Sequence, residues 1–303
     1  PFKLPGFGVK LFDALFMEKA DSAYVYTRWG NPTLRALERR LAKLEGAEAC
    51  VVTASGMAAV SALLFTLLSS GDHLIASEVC YAGSQELMGL HLPRFGVEVS
   101  LVDTSDLDAV QAALRPNTKL IFCETPANPI LRIADIQALR EIAHGAGVPL
   151  AVDSTFASPA VQQPLALGAD YVIHSLTKYI NGHGDALGGA VLGCEEEMQR
   201  VRKEMLVHLG GALSPFNAWL INRGLTTLPV RMEKQCANAL KVARFLEGHP
   251  KVARVFYPGL ESHPHHALAR RQMSAFGGML TFQLKDGLGA AITLAEQIGR
   301  AHV

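Results

Sequence analysis

Lys178 stands directly behind the apolar run Asp170-Tyr171-Val172-Ile173, in the stretch His174-Ser175-Leu176-Thr177-Lys178-Tyr179, with Gly182 and Gly184 close behind. A primary amine at a strand end, flanked by hydroxyls and then by glycines, lies where an open α/β sheet collects its ligands. The chemistry open to such an amine is a Schiff base with a carbonyl cofactor, and pyridoxal phosphate fits the company it keeps. Asp153 ends the apolar run Val148-Pro149-Leu150-Ala151-Val152 and is correctly typed to pair with a protonated pyridine nitrogen. Ser55-Gly56-Met57 joins a strand to a helix, so free backbone N–H groups gather there for a phosphate, with Ser175 and Thr177 across the crevice. Tyr81, after another strand, could stack on the ring and move protons. Burial beside a cationic ring would make the Lys178 amine a usable base.

Each residue has a bland explanation. A lysine after a strand is most often a surface group, and an aspartate at a strand tip most often a helix cap. His183 and Asp185 resemble metal ligands, yet glycines intervene and no third ligand stands nearby, so no metal site is assigned. The joint pattern is what lifts the cofactor reading above these alternatives.

The elements that must carry these residues alternate regularly. Ala49 to Thr53, His73 to Ser77, Gly96 to Val102, Lys119 to Cys123, Val148 to Asp153 and Tyr171 to His174 read as strands. Between them, Leu34, Leu37, Leu41 and Leu44 recur at helical spacing until Gly46, and Ala58 to Leu68 reads as a buried helix. A further helix runs to Leu90, Ser105-Asp106-Leu107-Asp108 matches a capping box, and Asp135 to His144 is helical. This alternation predicts βαβ units, a mostly parallel sheet and helices on both faces. Beyond about Leu225 the rhythm changes: a long helix from Val230 to Leu246, strands at Val252 to Tyr257 and Gly278 to Leu284, and a helix from Ala290.

Composition bounds the function. The 303 residues are 49% hydrophobic and carry 28 basic and 28 acidic side chains, and no basic run stands out, so neither nucleic acid nor an anionic membrane is indicated. The longest apolar run, Val60 to Leu68, falls far short of the ~20 residues of a spanning helix. The first residues read as interior sequence rather than a targeting segment. Cys50, Cys80, Cys123, Cys194 and Cys236 show no paired spacing, which predicts a reducing, cytoplasmic setting.

Five ordered runs, Tyr26-Thr27-Arg28-Trp29-Gly30-Asn31-Pro32-Thr33, Ser55-Gly56-Met57, Glu124-Thr125-Pro126-Ala127-Asn128-Pro129, Val152-Asp153-Ser154-Thr155-Phe156 and His174 to Tyr179, resemble the Cys/Met-metabolism family of pyridoxal-phosphate enzymes. That family includes cystathionine γ-synthase, the cystathionine and methionine γ-lyases and O-acetylhomoserine sulfhydrylase. The resemblance implies an α/β chain of the aspartate-aminotransferase type (fold type I), with a truncated C-terminal α+β domain. It implies that Lys178, Tyr81 and Asp153 are catalytic, Lys178 carrying the cofactor. It further implies that Ser55, Gly56, Met57, Ser175 and Thr177 hold its phosphate, that Asn128 lies near its ring oxygen, and that Tyr26 and Arg28 reach the site of a neighbouring subunit in a homodimer or homotetramer. The implied reaction is trans-sulfuration chemistry on an amino-acid substrate, by γ-elimination or γ-replacement.

Gly83 stands where methionine γ-lyases usually carry a cysteine, which counts against that branch, and the Thr125 to Pro129 run looks more like the lyases and synthases than the sulfhydrylases. Residues 1–30 are expected to be a truncated N-terminal arm, 31–225 the large domain and 226–297 the start of a truncated small domain. The family's substrate-carboxylate arginine would lie beyond this chain, leaving an inactive cofactor-binding fragment as the alternative. Ile298 to Val303 reads as a translated sequencing adapter, which resequencing through those codons would test. An aminotransferase on the same scaffold is the more distant alternative.

Overall fold

Asn31, Pro32 and Gly46 bound the first helix for identifiable reasons in the computed structural model, which describes residue 24 and residues 26–297. The Asn31 side chain accepts the Thr33 N–H, Pro32 occupies the first turn, and Gly46 closes α1 (Pro32–Glu45) in the left-handed region at φ 74°. The helix buries Leu34, Leu37 and Leu41 on one side. It also buries Glu38, whose carboxylate meets Arg35 and Arg202 at 3.0 Å each and accepts the Val52 N–H at 3.1 Å. The arm and adapter segments expected at residues 1–23 and 298–303 lie outside the described residues.

The strands are β1 (Ala49–Thr53), β2 (His73–Ser77), β3 (Glu98–Val102), β4 (Thr118–Glu124), β5 (Leu150–Asp153), β6 (Tyr171–Ser175) and β7 (Gly189–Gly193). They form one seven-stranded sheet in the order β1-β7-β6-β5-β4-β2-β3. All neighbours from β3 through β6 are parallel, whereas β7 runs antiparallel between β6 and β1. The helices that follow α1 are α2 (Gly56–Leu67), α3 (Ala82–Glu86), α4 (Leu107–Ala113), α5 (Ile136–Gly145), α6 (Glu195–Val201), α7 (Pro215–Leu225) and α8 (Leu228–Glu247).

Side-chain alternation covers both faces, as a buried parallel sheet requires. Val51, Leu74, Leu120, Ala151 and Ile173 pack with α2 through Leu63 and Leu64. On the other face Ile75, Ile121 and Val152 meet Ile136 and Leu139 of α5, while Val52, Val172 and Leu192 meet α1 and α7. After α8 come β8 (Val252–Phe256), α9 (His266–Gln272), β9 (Thr281–Leu284) and α10 (Gly287–Gln297), with β8 and β9 forming a separate antiparallel pair.

Three readings of the sequence are corrected. Strand β7 was not foreseen. The helix expected to continue to Leu90 gives way after Glu86 to a π-turn, Leu87–His91, and a 3-10 turn, Leu92–Phe95. Pro93 has no N–H to give the carbonyl four residues back, so regular α spacing cannot persist there. Asp106, not Ser105, caps α4: its side chain accepts the Ala109 N–H, while the Ser105 hydroxyl donates to Asp103.

Candidate active site

Because β1, β2, β4, β5 and β6 all point the same way, their carboxyl ends share one sheet edge, and the antiparallel β7 begins at that edge with Gly189. Register decides which side chains meet. Glu124 pairs with Asp153 across β4 and β5, and Ser175 pairs with Gly189, which pairs with Thr53.

A closed ring of contacts follows. The Ser175 N–H donates to Thr155 Oγ1 at 2.8 Å, and that hydroxyl donates to Asp153 Oδ1 at 2.6 Å. Glu124, beside Asp153, accepts the Tyr81 N–H on Oε2 at 2.8 Å and the Asn128 N–H on Oε1 at 2.7 Å. The Tyr81 ring lies over Gly83, where an added Cβ would sit 2.7 Å from the ring and 3.3 Å from Met57 Sδ. Gly56 completes the ring, since a Cβ there would sit 2.7 Å from Ser175 Cβ. Lys178 follows Ser175 by one turn, its N–H donating to the Ser175 carbonyl.

The turn at Ser55 leaves donors free. The Ser55 side chain caps α2 by accepting the Ala58 N–H, and its carbonyl accepts the Ala59 N–H. The amides of Gly56 and Met57 thus have no acceptor among the described residues, which is how a helix start receives an anion. Space at this point is tight, and a Cβ on Gly189 would lie 2.1 Å from the Ser55 carbonyl oxygen. Gly56→Ala is therefore expected to force α2 off β6, lowering the melting temperature by the equivalent of about 1–3 kcal/mol and emptying the anion cup. Calorimetry with a measurement of bound cofactor checks both.

The electrostatics centre on two neighbouring carboxyls. Asp153 is buried, and burial holds its carboxyl above the usual range against the pull of the Thr155 bonds and of His174. Both bonds from Thr155 fall on Oδ1, and no cation pairs with Asp153 among the described residues. Glu124 is pushed up to about 8 by burial and by Asp153, against the Tyr81 and Asn128 N–H groups. Cys80, also raised, to about 12 chiefly by burial, is no nucleophile at neutral pH.

Lys178 is exposed, and the burial expected for its amine is burial against a bound cationic ring. Its loop is nonetheless fixed. Arg231 of α8 donates to the carbonyls of Tyr179 at 2.7 Å and Gly224 at 2.9 Å and to Thr227 Oγ1 at 2.9 Å. Gly182, at φ 71°, leaves room for that guanidinium, 2.0 Å from where a Cβ would be. Arg231→Ala would leave these acceptors without their charged donor, and a loss of about 2 kcal/mol in chemical denaturation is the expected outcome.

Not every expected residue joins the ring. Thr177 Oγ1 lies 3.3 Å from both the N–H and the carbonyl of Gly188. Tyr26 is 51% exposed, and Arg28 stacks on its ring while donating to the carbonyls of Leu206 and Val207. His183 and Asp185 are engaged locally around Asn181, and no metal-ligating cluster occurs among the described residues. Sequence reasoning missed Glu124 and Thr155 as site-builders; both lay inside quoted motifs, but only strand register brings them together.

Known proteins fit this geometry. A family model described as Cys/Met metabolism PLP-dependent enzyme matches residues 6–300. An L-methionine γ-lyase of Fusobacterium nucleatum subsp. polymorphum is 48% identical over 92% of this chain and 71% of its own length. An O-succinylhomoserine sulfhydrylase of Pseudomonas aeruginosa is 52% identical over 88% of this chain and 66% of its own. Among solved structures, a cystathionine γ-lyase from Lactobacillus plantarum complexed with L-serine superposes with a TM-score of 0.85 at 40% identity, covering 89% of this chain and 70% of that one. The chain thus spans about two thirds of the length of these relatives.

Proposed function

The chain belongs to the Cys/Met-metabolism family of PLP-dependent enzymes, and from that premise we propose that its sheet edge carries out γ-elimination or γ-replacement at the Cγ–S bond of a sulfur amino acid. The observation that carries this reading is Asp153: a buried carboxyl, bonded on one oxygen and unpaired with any cation among the described residues, opening onto the crevice that Lys178 borders.

The donor set suits pyridoxal phosphate. Asp153 would accept the N–H of a cationic ring, the free amides of Gly56 and Met57 with Ser55, Ser175 and Thr177 would hold a phosphate, Asn128 would neighbour the ring oxygen, and Lys178 would bind the aldehyde carbon. When bound, the cofactor supplies a sink for the electron pair left at Cα. The chain's own groups handle protons and position. The Lys178 amine would take the proton from Cα and, after passing it on, a second one from Cβ, whose electron pair forms the Cβ–Cγ double bond as the γ-substituent leaves; in elimination a proton then returns to Cγ. Tyr81 would stack on the ring and give its hydroxyl proton to the departing sulfur. Positioned transfers of this kind are worth roughly 10²–10⁴-fold.

In elimination, substrate and water yield a thiol, ammonia and a 2-oxo acid; in replacement a thiol takes the place of the γ-substituent. A 2-oxo acid assay over methionine, cystathionine and O-succinylhomoserine, with and without added thiol, separates the two. Amino exchange with glutamate and no C–S cleavage would instead establish an aminotransferase, and a cofactor bound at Lys178 without turnover would leave a cofactor-binding unit. Residues 31–225 would form the cofactor-binding domain and 226–297 a second, smaller one. Exposed Tyr26, with Arg28, would serve a neighbouring copy's site in a dimer or tetramer, so mixing Lys178→Ala and Arg28→Ala chains should restore part of the activity that each lacks. We assign the enzyme to the cytoplasm on its five free cysteines, which show no paired spacing; no described helix is long and apolar enough to cross a membrane.

A further inference from the structure

Glu124 has no assigned part in this chemistry, yet it binds the backbone amides of two of the site's residues. It ends β4 beside Asp153, is 6% exposed, and has each carboxyl oxygen committed to a different backbone amide. One amide belongs to Tyr81, at the start of α3; the other to Asn128, beyond the turn that follows β4. The Tyr81 ring is half exposed and lies close over Gly83.

We propose that Glu124 is a positioning residue that sets both flanks of the cofactor ring at once, holding Tyr81 for the stacking face and Asn128 for the ring oxygen; this rests on the functional reading above. The geometry requires a carboxylate. Two N–H donors converge on two oxygens of one planar group, and a glutamine would turn an N–H₂ toward one of them, leaving a buried donor against a donor. The neighbouring Asp153 adds a link. While its charge lacks a cation it opposes ionisation of Glu124, and pairing it with a cationic ring removes that opposition, so that the ionised Glu124 grips both amides most firmly in the loaded site.

The test is a thermodynamic cycle on pyridoxal-phosphate affinity, read by cofactor fluorescence on the whole chain. Glu124→Gln, close in shape and able to keep one bond, is expected to weaken binding about tenfold. In a Tyr81→Ala/Asn128→Ala background, where neither flank remains to be placed, the same change should cost less than about threefold. An equal loss in both backgrounds would mean a general structural role and overturn the proposal, as would unchanged affinity in the single variant. Borohydride labelling run in parallel keeps the two ideas apart. A label at Lys178 with either of those affinity results sinks the Glu124 proposal alone, whereas no label at Lys178 in the parent chain brings down the functional reading and this proposal together.

Discussion

Lys178→Ala is expected to abolish the borohydride-fixed cofactor label and to lower turnover of any productive substrate by about 10⁴-fold or more. Two roles end with one atom. The amine is the group that would bind the aldehyde carbon, and it is the base that would move the Cα proton, so neither covalent anchoring nor positioned proton transfer survives. The fold should not suffer, because the side chain is exposed and makes no ion pair among the described residues, while the loop is held by backbone bonds and by Arg231. Unchanged melting with lost label is thus the signature. Peptide mapping that recovered the label on another lysine, or none on the parent chain, would refute the assignment.

Asp153→Asn should separate stability from function in opposite directions. The amide keeps an oxygen for the Thr155 bonds but offers a donor where the free carboxylate oxygen now faces the crevice, so a protonated ring nitrogen would meet N–H instead of O⁻. Losing that charge-assisted contact and the electron sink it maintains should reduce kcat/KM by about a hundredfold. The cofactor-free protein should respond the other way. Because the folded-state carboxyl lies above its ordinary 3.8, the stability it contributes is full below that pH and is lost as pH rises through the raised value. Asparagine never ionises, so the cofactor-free variant should melt at or above the parent at pH 7. A variant that melts lower and retains full activity would show that Asp153 is a structural cap.

What the sequence disclosed and what it withheld divide along physical lines. Strands β2, β4, β5 and β6 were legible because a sheet covered on both faces needs continuous apolar runs, and the residues ending those runs marked the sheet edge. Strand β7 was not, because Gly189-Ala-Val-Leu-Gly193 is short and bracketed by glycines that read as loop. Glu124 and Thr155 were visible as motif letters, and Asn128 lies only a turn beyond Glu124, but their other partners, Tyr81 and Ser175, follow different strands and are set by register. Arg231 sits in the long helix α8, and nothing local reveals that its guanidinium turns back onto the carbonyls behind Lys178.

The antiparallel strand wedged between β1 and β6 also constrains how the protein is made. Ala49 finds its ladder partner at Gly193, so β1 has no neighbour in this sheet until β7, about 140 residues later, has been translated. Until then the apolar Cys50-Val51-Val52 segment is an unpaired edge that a holdase would be expected to shield, and closure of so long a loop should come late and slowly.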